Sequence, residues 1–218
     1  MPIAIVSVLE RRPVGFETIA HEGLHAVVMT IGGSVATPEE VKRFATLQAD
    51  VHRSFDSVPI RLGTCLPSAD AVRDHLVRGA DRYRALLARF GGCVEYTVRV
   101  EHESLPDAGP RPRLVGGAGH EYLESLRESQ RERDGIAESL DRFAREALLP
   151  LRAIAGDYRV EPASPNVPMA AVTFIMARAA ASDFVARYRQ LPVAESATLT
   201  GPWPPSTFSS SVEAMLAA

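Results

Sequence analysis

Cysteine is scarce in this chain of 218 residues: Cys65 and Cys93 are the only two, and they form neither a C-x-x-C pair nor the paired spacing of a zinc ribbon. A disulfide framework is excluded and a reducing compartment fits. Lysine is scarcer still. Lys42 stands alone and arginine carries the remaining positive charge, a coding bias that bears on no function. The formal net charge of −3 leaves no sequence-wide basic field for gathering nucleic acid or anionic lipid. No run approaches the roughly 18 apolar residues that span a bilayer. The opening MPIAIVSVLERR places its arginines after the apolar run rather than before it, unlike a secretory signal. The expectation is a cytoplasmic protein with no membrane and no nucleic-acid partner. With 46% hydrophobic and 23% charged residues, the chain has ordinary globular composition, enough for one large core or two small ones.

The apolar pattern changes period along the chain. Residues 3–9 and 24–31 are short β-rich runs and read as buried strands. Thr37-Pro38-Glu39-Glu40 combines a capping Thr, a Pro at the first helical position and a Glu three residues after the cap. A helix should follow to about Ser54, its stripe of Val41, Phe44, Ala45 and Val51 interrupted by the polar Gln48. Residues 58–62 (VPIRL) read as a strand ended by Gly63, with Pro59 at an edge or strand start. Ser68 caps a helix that Gly91-Gly92 stops after Phe90.

From Cys93 the pattern starts again. Val94, Tyr96, Val98 and Val100 alternate with polar residues, the period of a strand with one wet face. Residues 104–119 are Pro- and Gly-rich and read as a loop. A long charged helix spans 120–149, its apolar stripe broken at Gln130 and Arg133 with a bend expected at Gly135, followed by strands near 158–161 and 169–176, a short helix at 183–189 and a strand at 197–200. The expected fold class is therefore α+β in two domains. Residues 1–91 give β-β-α-β-α, and residues 92–218 give β-α-β-β-α-β, the order of a ferredoxin-like sandwich.

His21-Glu22-Gly23-Leu24-His25 satisfies H-E-x-x-H, which on a helix sets two imidazoles one turn apart for zinc with Glu as general base. The β-rich run after it, Gly23 and the missing third ligand favour a loop leading into a strand, with a zinc hydrolase as the alternative. Cys65 and Cys93 lack an ordered His and Asp pattern and read as small buried hydrophobes. His52, His75, His102 and His120 are scattered. Gly116-Gly117-Ala118-Gly119 lacks the Lys-Ser/Thr pair of a phosphate loop and reads as a hinge. A ferredoxin-like RNA binder is a further alternative, but strand 94–100 offers only Tyr96 for stacking a base.

Two segments fit no general pattern. Pro59-Ile60-Arg61-Leu62-Gly63-Thr64 puts an arginine in an apolar strand, where its charge must pair or face water. Gly201-Pro202-Trp203-Pro204-Pro205 follows a strand with a Pro-locked aromatic that should not continue a ladder. We expect its indole to plug the core, with an exposed partner anchor as the other option.

These two segments carry a resemblance. LTGPWPPSTF closely resembles the near-C-terminal G-P-W-P-P-Y-S-F signature of the gas vesicle GvpF/GvpL family, with Ser206-Thr207 in place of Tyr-Ser. VPIRLGTCLPSADAVRDHL is similar to the family's P-x-R-F-G-T segment and following helix, with Leu62 in place of Phe. GLHAVVMTI, GGCVEYTVRV and MAAVTFIMAR match further family segments in order, whereas residues 121–134 keep little of the family pattern. The resemblance implies a modified ferredoxin-like C-terminal domain and a cytoplasmic accessory or minor structural role in gas vesicle assembly. It implies contacts with the gas vesicle shell protein and other Gvp accessory proteins, no catalytic residues and no cofactor. The residues it singles out for interaction are Pro59, Arg61, Gly63, Gly201, Pro202, Trp203, Pro204 and Pro205.

Overall fold

The helix starts written in the sequence are built as written. In the computed structural model, which describes residues 1–33, 37–101, 119–162 and 169–209, Thr37 Oγ1 accepts the Glu40 N–H while the Glu40 carboxylate accepts the Thr37 N–H at 2.8 Å. The same carboxylate takes the Gly32 N–H at 2.6 Å, so one side chain fixes both the helix start and the end of the preceding hairpin. These N–H donors hold the Glu40 carboxyl below its ordinary pKa. Helix α1 runs Pro38–Ser54, and α2 runs Ala69–Phe90 from the Ser68 cap.

The chain divides into two units. The first comprises Met1–Glu95, Ile175–Arg178 and Pro202–Ala218, and the second Tyr96–Phe174 and Ala179–Gly201. In the first, β1 (Ile3–Leu9) lies between β3 (Leu24–Thr30) on one side and the short β4 (Val58–Pro59) and β5 (Cys65–Leu66) on the other, all antiparallel to it. A fifth strand, β2 (Thr18–His21), completes the edge beside β3. Both faces of β1 are covered. Ala4, Val6 and Leu9 join Phe44 and Val51 of α1 in one cluster, while Ile5 and Val8 join Val72, Leu76, Tyr83 and Leu86 of α2 in another. The alternation slips by one at Val6, where the register shifts between Ile5 and Ser7. This is the mark of a β-bulge.

Two expectations for this half change. The 18–21 strand was not anticipated, because Thr18 and His21 break its apolar character and it sits half-buried at an edge. The expected strand 58–62 pairs only at Val58–Pro59. Beyond it Arg61 faces solvent, and Gly63 turns the chain at φ 106° before pairing resumes at Cys65. A buried unpaired guanidinium is too costly, so the ladder opens where the charge stands. Gln48, the polar interruption in the α1 stripe, serves this opening: its Nε2 donates to Val6 O at 2.8 Å and to Ile60 O at 3.0 Å.

From Cys93 the order is β6 (Cys93–Glu101), α3 (Gly119–Ala147), β7 (Asp157–Glu161), β8 (Met169–Ala177), α4 (Ala181–Arg189) and β9 (Ala197–Trp203). The sheet order is β7-β8-β6-β9. In the second unit Tyr96 of β6 packs on Phe184 of α4 at 5.4 Å between ring centroids, and Phe174 of β8 meets the same ring at 5.2 Å. Val98, Val172, Leu140, Ala144 and Leu148 of the same unit are also buried. Helix α3 continues through Gly135. Leu140 and Ala144 are buried, whereas Leu123 and Leu126 nearer its start are exposed, so only the later part of its stripe is packed. The greater part of the 104–119 loop, including the first three residues of the Gly116–Gly119 hinge, lies outside the described residues, as does His102.

Candidate functional site

The H-E-x-x-H segment is a β-hairpin. Glu22 (φ 43°) and Gly23 (φ 81°) form its two-residue turn, with His21 paired to Leu24 and His25 to Ala20. Positive φ at both central positions is the backbone of the I′ turn, whose twist suits a tight hairpin and which glycine adopts without strain. Side chains alternate across a ribbon, so in this register His21 and His25 project from opposite faces. They cannot close on one ion, and the helix that a zinc hydrolase requires is not formed. Among the described residues no cluster of three or more His, Cys, Asp or Glu could hold a metal. Tyr96, the one aromatic counted for stacking a base, is 7% exposed and turned onto Phe184.

The Gly201–Pro205 segment departs from expectation in an informative way. Strand β9 continues through Gly201 (φ 135°), Pro202 and Trp203 instead of stopping at Thr200. An edge strand tolerates this, since a proline there need only have its missing donor on the solvent side, and β9 is the edge next to β6. Trp203 does not plug the core. It is 48% exposed, while Pro204 and Pro205 after it are buried and Phe208 is 2% exposed. The ring that enters the first unit's core, in the cluster that also holds Leu76 and Tyr83, is Phe208.

Glu95 of β6 holds this segment down. The strand was expected to keep its polar side wet, yet Glu95 is 2% exposed. Its carboxylate accepts the Phe208 N–H at 3.0 Å and the Thr207 N–H at 3.3 Å. These N–H groups lie near the start of the helical turn 206–209, where main-chain donors commonly take side-chain acceptors. A buried carboxylate is tolerated when hydrogen bonds replace its lost water. Two segments that sequence reading treated separately, the Glu-containing strand and the Pro-locked strap, are thus one structural device. Val58 and Ile60, flanking Pro59, belong to the same buried cluster as Phe208.

A second polar group escaped sequence reading. The Arg178 guanidinium donates to His52 O, in the last turn of α1, at 2.7 Å and lies 4.0 Å from Asp56, while its backbone N–H bonds Gly92 O at 2.8 Å. A cation is well placed at a helix C-terminus, where carbonyls lack partners. His52 is buried with Nδ1 3.4 Å from Ser57 Oγ. Burial, then the Arg178 charge, pushes its pKa down to about 4, against the Cys93 main chain and Asp56. Burial and then Asp56 push the nearby Cys93 thiol up, the wrong direction for a thiolate nucleophile. His75 is also held below its ordinary pKa by burial and by Arg82 and Arg78.

Comparison with known proteins places this architecture. The family model described as gas vesicle synthesis protein GvpL/GvpF matches residues 8–210. Gas vesicle protein L of Streptomyces sp. (strain CB03234) is 28% identical over 194 residues, covering 76% of this chain and 71% of that protein. Two crystal structures share the fold: GvpF from Microcystis aeruginosa (TM-score 0.64, 11% identity, 95% of this chain and 98% of that one) and GvpF from Anabaena sp. PCC7120 (TM-score 0.67, 13% identity, 95% of each). At those identities the structures speak to fold alone. The match along nearly the whole chain decides the family: this chain belongs to the gas vesicle GvpF/GvpL family.

Proposed function

We propose that this protein takes part in gas vesicle assembly as an accessory or minor structural component, acting by binding the shell protein and other Gvp accessory proteins. The observation that carries the reading is the family match over residues 8–210. The hairpin at His21–His25 supports it from the other side, by removing the one catalytic pattern in the sequence. In this reading the protein catalyses no reaction, needs no cofactor and works in the cytoplasm at forming vesicles. Residues 1–91 and 92–218 serve as its two domains, the second a modified ferredoxin-like sandwich. The β-α-β-β-α-β order and the β7-β8-β6-β9 sheet are what support that last point. Among the described residues no helix is long and apolar enough to cross a membrane.

The test is co-purification of the tagged full chain with the shell protein of the same organism, beside deletion of the gene in a vesicle-forming host. Shell protein retained on the tagged chain, with vesicles lost or malformed in the deletion strain, is the expected result. No retention together with normal vesicles would refute the proposal.

A further inference from the structure

We draw no further inference here: the strongest candidate, the first unit's cleft between the end of β1 and the C-termini of α1 and α2 (Leu9, Glu10, Phe55, Asp56, Leu87, Gly91), rests on helix ends and two exposed carboxylates alone, and nothing in the structure shows what ligand would fill it.

Discussion

Replacing Glu95 by alanine withdraws the acceptor from two backbone N–H groups at once. The Phe208 N–H lies at 3.0 Å in a buried setting, and loss of that bond costs about 1–3 kcal/mol. Thr207 is half-buried, so water can partly restore its bond, and its share is smaller. The one methylene lost from a 2% exposed side chain adds about 0.8 kcal/mol. Release of the carboxylate from burial returns part of this. The net expectation for Glu95→Ala is a loss of about 3 kcal/mol, which for a chain of this size lowers Tm by roughly 6–12 °C. Glu95→Gln retains one acceptor oxygen but turns an NH₂ toward the other donor, so it should lose about half as much. Urea unfolding read by circular dichroism gives the magnitude, and acrylamide quenching of Trp203 in native buffer gives the location. The indole four residues before Thr207 should become more quenchable in Glu95→Ala before the fold as a whole is lost. A Glu95→Ala protein within about 0.5 kcal/mol of wild type, with unchanged Trp203 quenching, would refute the clamp.

Three further outcomes are expected. His52 has its folded pKa near 4 against about 6.5 unfolded, so below pH 6.5 the unfolded chain takes up a proton that the fold refuses. Stability from this group is complete above pH 6.5 and falls by on the order of 2–3 kcal/mol as pH drops to 4, with His75 acting in the same direction. Urea midpoints between pH 7.5 and 4.5 should show this slope, reduced in His52→Asn, and a flat profile would contradict it. Glu22 occupies a positive-φ position that asparagine tolerates better, so Glu22→Asn should stabilise the hairpin by about 0.5–1 kcal/mol; a lower melting temperature would count against the assigned turn. Zinc titration followed by calorimetry should find no tight one-to-one site, and a stoichiometric site abolished by His25→Ala would overturn the hairpin reading.

Local features were legible in the sequence and distant ones were not. The Thr37–Glu40 box, the Ser68 cap and the period-2 run from Val94 act between residues three or four apart or within one strand, and each is found where its spacing puts it. Gln48, Glu95 and Arg178 read as blemishes in apolar patterns because their partners are remote. Gln48 reaches Val6 across 42 residues, Glu95 reaches Phe208 across 113, and Arg178 reaches His52 across 126. A polar residue on a face otherwise destined for burial is the only local trace of such a bond, and it does not name the partner. The exposure of Trp203 was hidden for a related reason. Sequence reading expected one large aromatic to fill the core near the strap, and Phe208, five residues later, is the ring that does so.

Among the described residues, Phe208 and Ile175 join a cluster whose other buried members lie between Ile5 and Phe90. During synthesis, the sheet and helices of residues 3–90 must therefore wait with an unfilled apolar gap until residue 208 has left the ribosome. A product truncated before residue 207 lacks the ring that closes this core and the two N–H groups that hydrogen-bond the Glu95 carboxylate. Such a fragment keeps raw apolar surface and a Glu95 carboxylate short of two hydrogen bonds, features that invite chaperone capture or proteolysis. The strap thus acts as a check that synthesis has passed residue 208.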